Sequence, residues 1–311
     1  IEKKILYLDM KKVLITGGTG TVGTAFIGEY YDEYEFYNFS RNETNISDLQ
    51  RKWPAVKSYF GDIRKLVDLI QVFETVKPDI VIHAAALKHV NLAEENPAAA
   101  IETNVIGSFN VIQASIRAGV PLTIGVSTDK ACDSDSVYGY TKRMMELMFM
   151  NNYNKSTKFI CTRFANVAGS NGSVIPFWKQ LAEKDEPLKL TDPEMNRLMF
   201  STSDAAQLIR KAIVYTNKFD SGFIMSQRMK TVNMYDLAKV ISEDIEIVGT
   251  RPGEKLNEML ISTKELDHTY IVGNSVFIFE HETPAATRLG KEHSSLTAET
   301  MSVTEMKKLI E

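Results

Sequence analysis

Tyr138-Gly139-Tyr140-Thr141-Lys142 places a phenol and an amine four residues apart. On a helix those two side chains share a face. A tyrosine with its ordinary pKa of about 10 is a poor base near neutrality, and a nearby ammonium favours the phenolate and brings that value down. Tyr138 is then a candidate to take a proton from a hydroxyl. Tyr140 lacks a lysine at that spacing and reads as packing or ligand contact. Eight residues before Tyr138 ends the run Ser127-Thr128-Asp129-Lys130. Thr128 offers a second hydrogen bond to the same hydroxyl, and Asp129 and Lys130 are adjacent titratable groups of opposite charge preference, the kind of pair that divides acid and base work. An ordinary surface Asp-Lys pair is the competing reading.

These groups need a frame. From Lys12 the chain alternates apolar runs with amphipathic stretches, the rhythm of β-α-β units around a parallel sheet. Strands are predicted at 12–16, 35–39, 56–60, 79–83, 121–126 and 158–163. Helices are predicted at 22–31, 66–76, 97–118 and 137–151. The fold class is therefore α/β, a doubly wound parallel sheet, with a smaller lobe after it. After Asn166, Gly169, Gly172, Pro176, Pro187 and Pro193 mark the change of texture. The division expected is 1–167 for the sheet domain, with 200–227 returning to it, and 168–311 mainly for the lobe, whose helices are predicted at 203–215 and 234–243. Residues 1–9 precede a Met-Lys-Lys-Val run at Met10 and read as an extension.

Between the first strand and helix lies Gly17-Gly18-Thr19-Gly20-Thr21-Val22-Gly23. Glycines there permit a tight turn and let backbone approach a pyrophosphate, which a helix N-terminus then binds through its amides and dipole. The pattern and its position point to a dinucleotide. The second strand ends in Ser40-Arg41-Asn42, where an acidic residue would select NAD. Arg41 can pair with a 2′-phosphate while Ser40 donates to it, which favours NADP; Glu43 keeps NAD in play. Asp62 is placed either to accept from the adenine amino group or to cap a helix before Arg64.

Composition excludes much else. Hydrophobic residues at 44% and charged residues at 24% are those of a folded globular chain, which removes disorder and fibrous repeats. A net charge of -4 leaves no footprint for nucleic acid or an anionic membrane. The only cysteines are Cys132 and Cys161 and the five histidines are scattered, so neither a disulfide framework nor a metal site is expected. No apolar run reaches the length of a membrane span, and no signal peptide is recognised, so a cytoplasmic location is expected.

Taken together and in order, Gly17-x-x-Gly20-x-x-Gly23, His83-Ala84-Ala85-Ala86, Asn104 and Tyr138-x-x-x-Lys142 resemble the extended short-chain dehydrogenase/reductase family. Within it, Ser127-Thr128-Asp129-Lys130-Ala131 looks like the nucleotide-sugar 4,6-dehydratases acting on UDP-N-acetylglucosamine. Further matches are Ala86-Leu87-Lys88-His89-Val90, Arg163-Phe164-Ala165-Asn166-Val167, Gly172-Ser173-Val174-Ile175-Pro176, Thr191-Asp192-Pro193-Glu194-Met195-x-Arg197 and Arg251-Pro252-Gly253-Glu254-Lys255. The resemblance covers roughly residues 12 to 260 and implies oxidation at C4 of a UDP-sugar, elimination of water across C5 and C6, and return of hydride to C6. It implies Asp129 as the acid and Lys130 as the base, with Lys130 losing its proton to desolvation and to neighbouring Lys142. Besides the glycine loop and Tyr138, Lys142, Ser40, Arg41 and Asp62, it implies that Ile63, Ala84, Ala85, Ala86, Asn104, Asn166 and Val167 contact the cofactor.

A diphosphate calls for arginines, and Arg197 and Arg251 are the candidates, with Glu254 accepting from a ribose hydroxyl or orienting Arg251. Lys88, His89, Asn166, Ser173, Val174 and Pro176 are expected around the sugar. Tyr138, where C5-retaining relatives often have methionine, leans the resemblance toward C5 inversion. Met144, Met145, Met148 and Met150 read either as core or as a face for a second subunit, so a homo-oligomer is expected. His83 reads as a satisfied core histidine. A UDP-sugar 4-epimerase and a cofactor-sensing protein without turnover are the alternatives.

Overall fold

A computed structural model describes residues 10–154, 156–250, 253–280 and 287–311. Six parallel strands come first: β1 (Lys12–Thr16), β2 (Glu35–Ser40), β3 (Lys57–Phe60), β4 (Ile80–His83), β5 (Leu122–Thr128) and β6 (Lys158–Phe164). They lie in the order β3-β2-β1-β4-β5-β6. The order reverses between β1 and β4, and ligands of such sheets bind beyond the strand ends at that point.

Burial on both faces explains the apolar runs. Val13 and Ile15 of β1 join Phe26, Ile27 and Leu208 in one layer, whereas Leu14 joins Leu69, Phe73 and Val111 in the other. The sheet continues beyond the strands expected from sequence. Phe223–Gln227 adds parallel to β6, and the antiparallel strands Ser275–Phe279, Thr269–Val272 and Thr287–Arg288 complete a ten-stranded sheet. The Thr202–Tyr215 helix packs on the helix Thr21–Glu29 that follows the glycine loop.

The helix expected over 97–118 is present and widens once within its length. Pro97–Ile101 and Gly107–Ala118 are α-helical, and Glu102–Ile106 between them is a π turn. Such widened turns recur at functional sites. Four helices, Glu43–Lys52, Val90–Glu95, Val174–Ala182 and Val303–Ile310, are given no range in the sequence reading. A separate core of Ile175, Trp178, Leu188, Leu190, Val232 and Leu237 holds the smaller lobe, where Trp178 Nε1 donates to the Lys189 carbonyl at 2.9 Å. Among the described residues no helix is long and apolar enough to cross a membrane.

Candidate active site

The glycine loop is a cradle of backbone. Gly17 sits at φ +74, and a Cβ there would lie 2.8 Å from Ala85 backbone atoms; a Cβ on Gly23 would lie 2.5 Å from Gly18 Cα. The helix starting at Thr21 has Gly20 at its N-cap and no side-chain cap, so the loop presents helix-start amides as a diphosphate requires. These residues fit a dinucleotide. From the far side, Asn171 donates its backbone N–H to Thr21 Oγ1 at 3.0 Å, and Lys88 Nζ donates to the Asn171 carbonyl at 2.6 Å. The segment after β6 thus reaches back over the loop.

Around the expected adenosine end two readings need correction. Ser40 is buried and donates to Asn38 Oδ1 at 2.7 Å while accepting from Thr19 Oγ1 at 3.4 Å, so its proton is already committed within the fold. Asp62 accepts from Arg64 Nε, Nη2 and backbone N–H at 3.0, 2.6 and 3.0 Å. Those bonds outweigh burial and hold its carboxyl below the usual range. It is not the helix cap: the helix begins at Leu66, after Lys65. Arg41 stays on the surface with Nη1 4.0 Å from Asp62, and both residues line an open cleft of about 620 Å³ with Tyr59, Phe60 and Lys65. Ile63 is buried, its side chain filling the space beside Gly107.

Asn104, expected at the cofactor, is spent on scaffolding. It accepts from the Leu87 N–H at 2.8 Å, donates to the Leu87 carbonyl at 3.0 Å and donates to Thr141 Oγ1 at 3.0 Å. It thereby fixes the strand-end segment carrying Ala84, Ala85 and Ala86 against the helix carrying Tyr138. His83 is the satisfied core group anticipated. Ser108 donates to the Asn104 carbonyl at 2.6 Å, so it accepts from His83 Nε2 at 2.9 Å, and His83 Nδ1 accepts from Thr16 Oγ1 at 2.7 Å. Burial, with Lys142 adding to it, pushes the imidazole pKa down to about 3.

β5 delivers Thr128 and a short 3-10 turn, Asp129–Ala131, to the strand ends. The helix Val137–Asn151 then starts under firm control: Ser136 Oγ accepts from the Gly139 N–H at 3.1 Å and Glu94 accepts from the Val137 N–H at 2.7 Å. Helix and turn touch so closely that a Cβ on Gly139 would collide with the Lys130 carbonyl oxygen. That contact sets Tyr138 beside Thr128 and the Asp129-Lys130 pair.

Asp129 Oδ1 accepts from Thr128 Oγ1 at 2.9 Å and from the Lys130 N–H at 2.9 Å, with Lys130 Nζ at 3.3 Å. Its other oxygen is buried and meets no donor among the described residues. Lys130 Nζ is held more tightly by a residue that sequence reading did not single out, Glu258, at 2.8 Å. Glu258 also has Arg197 Nε at 3.4 Å and Asn166 Nδ2 at 3.4 Å. Two cations against one carboxylate outweigh burial and hold Glu258 far below the usual range. For Asp129 burial dominates, the Glu258 charge adds to it, and the pKa is pushed up to about 7.

Lys130 and Lys142 depart from expectation. Lys142 is buried and its Nζ lies 2.9 Å from Met145 Sδ; burial lowers its pKa to about 8, and the groups that act most strongly on Lys130 and Tyr138 are others. Despite burial, the carboxylates of Asp129 and Glu258 raise the Lys130 pKa above its ordinary value, the reverse of the expected depression. The cation that favours the Tyr138 phenolate is Lys130; burial nonetheless pushes the phenol up to about 12. Tyr140 points to solvent, 57% exposed.

Arg197 also needs correction. Its guanidinium is buried and donates to the Asn196, Leu256 and Lys255 carbonyls at 2.9, 3.0 and 2.8 Å, besides facing Glu258. In this conformation it braces Glu258 and offers no grip for phosphate. Arg251 lies outside the described residues, and Glu254 is half-buried in the loop that follows. Asn166 donates to the Leu198 carbonyl at 3.2 Å as well as to Glu258, and Val167 pairs with Phe200. His89 packs on Gly172, where a Cβ would lie 2.7 Å from the ring. Beside it Ser173 Oγ is buried and meets no partner among the described residues, at the start of the helix carrying Val174 and Pro176. Lys88, His89 and Ser173 are thus brought together with the Asn171 segment. Glu258 was hard to find: it stands before an apolar strand, 128 residues from the lysine it holds.

Comparison with known proteins agrees with this geometry. The polysaccharide biosynthesis protein family matches residues 13–280. Over 274 residues the chain is 37% identical to the UDP-N-acetylglucosamine 4,6-dehydratase (inverting) of Campylobacter jejuni subsp. jejuni serotype O:2, across 84% of this chain and 80% of that one. It is 34% identical over 287 residues to a UDP-glucose 4-epimerase of Rickettsia bellii, covering 86% and 82% of the two chains. The X-ray structure of Pen from Bacillus thuringiensis superimposes with a TM-score of 0.89 at 29% identity over 98% of both chains. With its doubly wound sheet, glycine loop and Tyr-x-x-x-Lys helix, the chain belongs to the polysaccharide biosynthesis protein family of extended short-chain dehydrogenases/reductases.

Proposed function

We propose that this protein converts UDP-N-acetylglucosamine to its 4-keto-6-deoxy product by NADP-dependent 4,6-dehydration, inverting C5. The protein is a nucleotide-sugar dehydratase. The observation that carries this reading is the buried Asp129–Lys130–Glu258 cluster beside Tyr138. Epimerisation at C4 needs no acid for a departing hydroxyl. Elimination does, and a carboxyl whose pKa is pushed up to about 7 carries a proton near neutrality.

The loop from Gly17 to Gly23 would hold the NADP diphosphate, Arg41 the 2′-phosphate, and Ala84–Ala86, Asn166 and Val167 the walls beside it. A cofactor held there would supply the acceptor for the C4 hydride and the donor that returns it to C6. Tyr138 receives the proton of the C4 hydroxyl, oriented by Thr128, with the Lys130 charge favouring the phenolate. Lys130 serves as base once its ammonium proton has passed to Asp129 across their 3.3 Å contact: the neutral amine takes the C5 proton, Asp129 gives its proton to the C6 oxygen, which leaves as water, and solvent supplies the proton that returns to C5. The two transfers leave the cluster's proton count unchanged. They are linked, because a proton on Asp129 removes one of the negative charges that hold the Lys130 proton. Lys88, His89, Ser173, Val174, Pro176, Arg251 and Glu254 hold the UDP-sugar.

A homo-oligomer fits the surface: Ile106, Phe109, Ile116, Tyr140 and Met144 are exposed on neighbouring helices, whereas Met145 and Met150 belong to the core. The likeness to an epimerase makes C4 epimerisation the second reading. Incubation with UDP-N-acetylglucosamine in deuterated water, followed by mass spectrometry and NMR, separates them. Loss of one water with deuterium at C5 and the inverted configuration is expected. An isomer of unchanged mass would overturn the proposal.

A further inference from the structure

We infer that Glu258 is a positioning residue of the catalytic cluster: by holding the Lys130 ammonium and facing the Asp129 carboxyl, it keeps the acid's proton on Asp129. This inference rests on the dehydration proposed above and adds to it a residue from the smaller lobe's side of the chain. Glu258 is buried, and its place is set by its backbone, whose N–H donates to Ser295 Oγ at 3.0 Å and whose carbonyl accepts from the Ser295 N–H at 2.9 Å. Every charged neighbour reaches it from a different element. Lys130 comes from the turn after β5 at 2.8 Å, and Arg197 comes from the strand Asn196–Phe200 at 3.4 Å. Asn166, just after β6, adds a neutral donor at 3.4 Å, and Tyr138 faces the group from its helix.

The two carboxyls are unequal. Glu258 has two cations within 3.4 Å, whereas Asp129 has Lys130 at 3.3 Å and one oxygen that no donor reaches among the described residues. Like charges at such range do not both ionise easily, and the proton goes to the less compensated group. That group is Asp129, and a proton between the two carboxyls satisfies its unpartnered oxygen. Glu258 itself, doubly compensated, stays charged and keeps Lys130 from drifting onto Asp129 alone. Arg197 contributes by anchoring Glu258 and not by touching ligand.

The test is a titration with a readout independent of turnover. Carbon-13 NMR of the Asp129 carboxyl, assigned with Asp129→Asn, is followed against pH in the full chain and in Glu258→Gln, without cofactor or substrate. Removing the negative neighbour should lower the Asp129 midpoint by about one unit. The alkaline limb of kcat should move down with it, since turnover needs the acid protonated. Glu258→Asp, which keeps the charge and withdraws it by one methylene, should shift both in the same direction by less, and covers the case in which the glutamine variant does not fold. A wild-type midpoint in the ordinary carboxylate range, or variants that lose activity while midpoint and limb stay in place, would overturn the inference. If wild-type protein removes no water from UDP-N-acetylglucosamine but the NMR midpoint shifts as expected, the reaction assignment fails and the role of Glu258 stands.

Discussion

Arg163 and Glu146 meet as a buried two-point pair: Nε donates to Oε1 at 2.9 Å and Nη2 to Oε2 at 2.8 Å, with neither side chain exposed. The same guanidinium donates to Glu265 at 3.0 and 2.9 Å and to the Leu260 carbonyl at 2.9 Å. One fork therefore ties β6, the Tyr138 helix and the segment leading away from Glu258. Removing Glu146 leaves the buried guanidinium with Glu265 as its one carboxylate and two of its donors facing a neutral group, which costs more than the pair gains. Glu146→Gln should lower unfolding free energy by about 3 kcal/mol in denaturant titration. A change under about 0.5 kcal/mol, the size of an ordinary surface substitution, would show that the network carries no weight.

Why some of this was legible in the sequence and some was not follows from range. β1 and β4 are buried on both faces, so their apolar runs announce them, and the loop at Gly17 is local chemistry confined to a few residues. The Glu43–Lys52 helix buries only Leu49, and Ile46 is its one other apolar residue, which leaves too few points for a periodic signal. The π turn at Glu102–Ile106 is invisible in an alanine-rich run that favours helix throughout. The pair Asp129 and Lys130, proposed as acid and base, could be singled out, but their protonation could not, because it is decided by Glu258 and by burial. Arg197 was misplaced for the same reason: a diphosphate calls for an arginine in the smaller lobe, and only the fold shows that the donors of this one are turned inward.

Gly139 offers a test of positioning. Its α-carbon faces the Lys130 carbonyl with no room for a methyl group, so Gly139→Ala must push the Tyr138 helix and the Asp129 turn apart. Small misplacements of reacting groups cost on the order of 10²-fold in rate. A kcat loss of that order is expected, while binding of the proposed NADP, whose diphosphate is assigned to the glycine loop and not to this turn, stays within a few-fold by calorimetry. Unchanged kcat would mean that the turn can move without disturbing the chemistry.

Arg41 should separate the two cofactors. Its guanidinium is the surface cation at the end of β2, and charge-assisted hydrogen bonds contribute about 1.5–3 kcal/mol. Arg41→Ala should therefore weaken NADP binding roughly 10- to 100-fold and leave NAD binding unchanged. Equal losses for both would assign Arg41 to the adenosine ring or to folding, and not to the 2′-phosphate.

Asp129 links function to stability through the sign of its titration. Its pKa is about 7 in the folded chain against an ordinary 3.8, so between those values the folded chain holds a proton that the unfolded chain has released. The stability contributed by that proton is full below the lower value, falls as pH rises through the window, and is gone above the upper one. Asp129→Asn removes the titration and cannot donate a proton. Its Tm relative to wild type should rise from about pH 5 to about pH 8, with a gain of at most a few kcal/mol because Lys130 loses a partner in exchange. Dehydration should fall by roughly 10²- to 10⁴-fold, the usual contribution of a general acid. The decisive comparison is the two thermal midpoints at both pH values. A variant whose relative stability is the same at each, or greater at low pH, would mean that burial does not hold the proton on Asp129.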